Sequence, residues 1–107
     1  MAMADEPGIE VLADRSRRRI IRMLNDHPHR PSTMARELGL DRSTITYHLR
    51  ILEAAGLVRL LNVRMDDRSG LYAIEPSAER RILAWFRETG LDESLPPPGY
   101  RRRAGSR

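Results

Sequence analysis

Short apolar stripes, punctuated by glycine and proline, run along this chain. Ile9, Val11 and Leu12 form a brief apolar helical stretch after Gly8. Asp14 can cap a helix reaching about Leu24, with Ile20, Ile21 and Leu24 as its stripe. The stretch Asn25 to Pro31 contains two prolines and reads as a loop. Ser32 is a suitable N-cap for a helix through Leu38, which Gly39 breaks. Asp41 caps the next helix, which runs to Ala55 with Gly56 just beyond its end. Residues 57–65 are rich in β-formers and predict a strand, 66–70 a turn and 71–74 a returning strand. Pro76 opens a last helix over about 77–89, which Gly90 ends.

This order predicts a mainly α fold with a small β-hairpin. It is that of a winged helix-turn-helix, with about five helices and a two-stranded wing. Residues 1–8 are expected to be disordered. Residues 9–90 form the folded domain, and 91–107 read as a flexible basic tail carrying Pro96, Pro97, Pro98 and Arg101, Arg102, Arg103.

The two central helices carry the chemistry. Met34, Leu38, Leu40 and Ile45 stand where crossing helices must bury side chains, Ala35 permits close approach, and Gly39 permits a sharp turn. In the second helix Ile45, Leu49 and Leu52 recur at i, i+4, i+7 and face inward. Arg42, Ser43, Thr46, Tyr47 and Arg50 fall on the opposite side, which can lie in a DNA major groove. Arg64 and Arg68 stand on or at the tip of the hairpin, within reach of flanking phosphates or a minor groove. A solvated polar face on an ordinary helical core is the plainer alternative, and simple solubility is the alternative for the hairpin arginines.

Composition narrows the choice. The chain has 107 residues and a formal net charge of +4, all 19 basic residues are Arg, and there is no cysteine. Arg pairs bidentately with phosphate or guanine. Residues 1–10 hold three acids and no base, whereas residues 11–91 hold 15 Arg against 10 acids. A basic middle suits nucleic acid. The lack of cysteine excludes disulfides and thiolate metal sites. No stretch approaches the 18 or so apolar residues of a membrane span, and the acidic N-terminus does not read as a signal peptide. A cytoplasmic protein is expected. No catalytic constellation and no phosphate-cradling loop stand out, so no enzyme and no cofactor are expected.

The segment Ser43-Thr-Ile-Thr-Tyr-His-Leu-Arg-Ile-Leu-Glu-Ala-Ala-Gly-Leu-Val58 resembles the recognition-helix signature of the ArsR family of winged-helix repressors. Leu12 to Ile21 is similar to that family's opening motif, and Met34 to Leu40 to its first turn helix. The resemblance covers about residues 9–90 and implies a DNA-binding and dimerisation domain. It implies a homodimer joined through the first and last helices, which places Ile9, Leu12, Ile82, Trp85 and Phe86 at the subunit interface. The chain also departs from the family. Many members sense metals through cysteines where this chain has Arg30 and Ser32. Others hold zinc with Asp and His on the last helix, and residues 77–89 contain neither. Neither family metal site is therefore expected.

Three histidines remain to be placed. His27 and His29, with Asp26, can either bind a borderline metal such as zinc or nickel or form a solvated loop. The resemblance implies that His48 is a structural histidine held by a hydrogen bond. The expected function is a sequence-specific DNA-binding transcriptional regulator, a dimeric repressor on a near-palindromic site in double-stranded DNA. Its effector is not legible in the sequence. The alternative is a winged-helix protein-interaction module without specific DNA binding.

Overall fold

A computed structural model describes residues 8–61 and 70–91. Four α-helices and one two-stranded antiparallel sheet follow the predicted order: α1 (Arg15–Asp26), α2 (Pro31–Leu38), α3 (Arg42–Ala54), β1 (Val58–Leu61), β2 (Leu71–Ile74) and α4 (Glu79–Thr89). The expected count of about five helices changes because the stretch around Ile9 is a 3-10 turn (Ile9–Ala13), not an α-helix. A second 3-10 turn, Pro76–Ala78, precedes α4, so the last helix begins two residues later than its proline suggested.

Local signals explain most boundaries. Asp14 caps α1 as expected, its Oδ1 accepting from the Arg17 amide at 3.0 Å, and satisfies one otherwise unpaired donor. The helix continues two residues past Leu24. Ser32 does not cap α2. That helix starts two residues earlier than a Ser32 cap implies, at Pro31, with Arg30 at the cap position. Proline suits the first helical position because its φ is preset and its missing N–H would have no partner there. Asp41 occupies the cap position of α3 but makes no side-chain cap hydrogen bond.

The core draws on every element but β2, whose Tyr72 and Ile74 pack against it half-buried. Ile9 and Leu12 from the first turn, Ile20, Ile21 and Leu24 from α1, and Met34 from α2 are buried with Ile45, Leu49 and Leu52 of α3. Leu57, Val58, Ala78, Ile82, Trp85 and Phe86 complete it. The Trp85 and Phe86 rings meet edge to face, with centroids 5.4 Å apart.

The five residues expected at the subunit interface pack first within the chain itself. Ile9, Leu12, Ile82, Trp85 and Phe86 all lie in the chain's own interior. The wide apolar face of α4 is wide because it fills this small domain's core. The large apolar residue that α4 leaves outside is Leu83, at 55% exposure.

Candidate nucleic-acid interface

Three consecutive arginines on α1 frame the helix-turn-helix. Arg17 Nε donates to the Val11 carbonyl at 2.8 Å, and its Nη1 lies 3.2 Å from Nδ1 of His48 on α3. Buried Arg18 donates through Nη1 to the Leu12 and Ala13 carbonyls at 3.0 and 2.9 Å. Arg19 Nη2 reaches the Leu38 carbonyl, at the end of α2, at 3.4 Å. Thus α1 is tied to the first turn, to α2 and to α3. These arginines counted toward a basic surface in the sequence, yet their guanidinium groups serve internal carbonyls and a histidine. Nothing in the local spacing separates them from surface arginines.

The turn between α2 and α3 rests on Gly39, at φ 70° and ψ 34°. A Cβ is strained in this left-handed conformation. The Leu40 amide closes the turn by donating to the Ala35 carbonyl at 3.0 Å. α3 then emerges with two opposed faces. At 3.6 residues per turn, Ile45, His48, Leu49 and Leu52 fall in an arc of about 100°, and all four are buried. Arg42, Ser43, Thr46, Tyr47 and Arg50 span an opposite arc of about 140°. Arg42, Ser43, Tyr47 and Arg50 are exposed and Thr46 is half-buried. Tyr47 is 61% exposed, and its ring meets that of His48 edge to face at 5.2 Å. Over its first two turns the exposed arc presents hydroxyls and guanidinium groups, and exposed Glu53 lies on the same arc near the helix end.

His48 is buried and hydrogen-bonded. Guanidinium only donates, so His48 Nδ1 accepts and the ring proton sits on Nε2. Burial lowers its pKa below 6.5 and the Arg17 charge adds to that, while Asp14 opposes it.

The hairpin stands beside α3. Val58 pairs with Ile74, Arg59 with Ala73, Leu60 with Tyr72 and Leu61 with Leu71, and the Glu75 amide extends the ladder to the Leu57 carbonyl at 2.9 Å. Arg59 reaches Glu75 at 4.0 Å, an exposed pair of small energetic weight. Gly70, at φ 69°, leads into β2. Arg64 and Arg68, the expected hairpin contacts, lie outside the described residues.

Tyr72 was not singled out in the sequence, yet it joins three parts of the domain. Its amide donates to the His29 carbonyl at 2.9 Å and its carbonyl accepts from the His29 amide at 3.1 Å. Its half-buried phenol has a pKa raised by burial and by Glu53, opposed by Arg50; both residues are on α3. The loop before α2 therefore pairs with the wing, β2 packs against α1, and the Tyr72 phenol feels the charges at the C-terminal half of α3. No short-range pattern signals this pairing, because only His29 and Arg30 stand between two prolines, too few to read as a strand.

Comparison with known proteins agrees with this geometry. Residues 12–60 match a family described as a helix-turn-helix domain. A crystal structure of a possible transcriptional regulator for arsenical resistance shares 32% identity, covers 82% of this chain and 88% of its own, and superposes with a TM-score of 0.64. This chain belongs to the ArsR family of winged helix-turn-helix transcriptional regulators. Another ArsR family regulator shares 25% identity over 78% of this chain and 82% of its own, with a TM-score of 0.59. A homodimeric winged helix-turn-helix DNA-binding domain from Mycobacterium bovis shares the fold at 20% identity, over 80% of this chain and 77% of its own, with a TM-score of 0.66. Comparison with curated proteins gives no match. Among the described residues, no helix is long and apolar enough to cross a membrane.

Proposed function

We propose that this ArsR-family chain acts in the cytoplasm as a homodimeric repressor on a near-palindromic operator in double-stranded DNA. The observation that carries this reading is the two-faced α3, whose Arg, Ser and Tyr side is exposed while its other side is anchored in the core. Each α3 enters a major groove, with the two grooves about 34–36 Å apart. Arg42 and Arg50 contact guanine edges or phosphates, and Ser43, Thr46 and Tyr47 contact phosphates or thymine methyls. The positive end of the α3 dipole favours approach of its N-terminus to phosphate. Arg64 and Arg68 contribute flanking phosphate contacts from the wing.

The dimer forms through the outer side of α4, around Leu83 with Arg80, Ala84 and Arg87. The Mycobacterium bovis relative is homodimeric, which supports a dimer, and the exposure of Leu83 supports this face for it. The buried Ile82, Trp85 and Phe86 stiffen that face from beneath.

Gel-shift titration on a promoter fragment recovered by genome-wide mapping of bound DNA tests the reading. Arg42→Ala/Arg50→Ala should lose specific binding while keeping its circular dichroism spectrum. Full affinity in that double variant overturns the assignment of α3.

A further inference from the structure

Asp26, His27 and His29 converge at the loop between α1 and α2. One potential ligand atom from each lies within 4.8 Å of the others. The two imidazole rings are 4.1 Å apart between centroids and tilted by 36°. Two of the three positions are held by the fold: Asp26 is the last residue of α1, and His29 is clamped by its two backbone hydrogen bonds to Tyr72.

The neighbours of His27 decide how its ring presents itself. Its Nδ1 is 2.9 Å from the Pro28 carbonyl oxygen, and a carbonyl can only accept. Nδ1 therefore carries a proton, and in the neutral ring Nε2 presents its lone pair. That Nε2 faces Asp26 Oδ2 at 3.4 Å. A lone pair and a carboxylate oxygen at this separation repel unless a cation, either a proton or a metal ion, comes between them. Metal-ligating histidines are commonly oriented in this way, with the other ring nitrogen donating to a backbone carbonyl.

The distances suit a small ion. Around a tetrahedral ion with bonds of about 2.0–2.1 Å, neighbouring ligand atoms stand roughly 3.4 Å apart. The Asp26–His27 edge already has that length, and a side-chain rotation closes the rest from within 4.8 Å.

We propose that Asp26, His27 and His29 bind one divalent transition-metal ion of the zinc or nickel class, with water completing its coordination. Two imidazoles and a carboxylate are hard-to-borderline ligands and select such ions. The bound ion joins the end of α1 to the residue that pairs with the wing. The site does not depend on the DNA-binding reading, and its test uses no DNA.

The experiment is titration of tag-free, metal-depleted protein with Co(II), followed by visible absorption, then displacement by Zn(II) in a calorimeter. One equivalent per chain is expected, with absorption bands of a site having fewer than six ligands. His27→Asn and His29→Asn should each weaken binding at least about tenfold, and the double variant should abolish it while remaining folded. Nitrogen NMR should show Zn(II) shifting the rings of His27 and His29 and leaving His48 unmoved. Absence of saturable binding overturns the proposal, as does binding that is unchanged in the double variant, including the case in which Asp26 and His27 form only an exposed ion pair.

Discussion

Arg17 on α1 donates to Nδ1 of His48 on α3 across 3.2 Å, a hydrogen bond between residues 31 positions apart in sequence. It survives only while His48 is neutral, because protonating Nδ1 removes the acceptor and sets two cations together. The folded pKa is lowered from 6.5 by burial first, and by Arg17. Between that lowered value and 6.5, the unfolded chain therefore binds more protons than the native one. The His48 contribution to stability is complete above about pH 6.5 and is lost as pH falls toward the folded pKa. Urea denaturation across this range checks the sign. The stability of wild type relative to His48→Gln should be constant above about pH 6.5 and shrink below it.

The two sides of α3 should separate stability from DNA affinity. Leu49→Ala empties a fully packed position and should cost about 2–5 kcal/mol in denaturant unfolding. Tyr47→Ala removes a mostly exposed ring and should change stability by no more than about 0.5 kcal/mol. On DNA, Tyr47→Ala should weaken binding at temperatures where both variants are folded. A large stability loss in Tyr47→Ala would refute this division.

Salt dependence should distinguish external from internal arginines. Arg50→Ala should lower the slope of log affinity against log salt by about 1 if it neutralises one phosphate. Arg19→Ala removes a bond to the Leu38 carbonyl and should lower stability while leaving that slope unchanged.

Two glycines should respond differently to alanine. At Gly39 a Cβ meets nothing within 4 Å, so Gly39→Ala should cost only the left-handed strain, about 1–2 kcal/mol. At Gly70 the added Cβ would stand 2.7 Å from Leu60 Cδ1. The exposed Leu60 side chain can turn aside, so Gly70→Ala should cost the same strain plus a small coupling to Leu60, measured as a double-mutant cycle with Leu60→Ala.

Leu83→Asp should give monomers by sedimentation velocity with little change in the unfolding of each chain, since Leu83 is mostly exposed. The buried neighbour behaves in the opposite way: Trp85→Ala should cost about 3–5 kcal/mol in the fold itself. A dimer that persists in Leu83→Asp moves the interface elsewhere.

Elements set by local chemistry were legible in the chain: the Asp14 cap, the Gly39 turn, the 71–74 strand and the inward row Ile45, Leu49 and Leu52. The misreadings arose where long-range packing or a competing local preference decided. Pro31 outcompeted Ser32 for the start of α2, because a proline needs no partner for a missing N–H. For the stripe of Ile82, Trp85 and Phe86, sequence periodicity shows a shared apolar face but cannot tell how much of it the chain's own core buries. Arg17 to Arg19 enter the sequence only as charge, because their carbonyl and histidine partners are set by the fold. The outward residues of α3 were legible because helical spacing alone separates them from the buried row. The pairing of His29 with Tyr72 spans more than 40 positions and leaves no local trace.

That pairing also bears on self-association through strand edges. With β1 on one side and His29 on the other, β2 is shielded on both edges at Tyr72. An open strand edge is a template for pairing with another chain. Among the described residues, the hairpin therefore offers a stray strand the outer edge of β1, where the exposed charge of Arg59 discourages addition. A single residue of loop thus helps keep the wing from becoming a seed for aggregation.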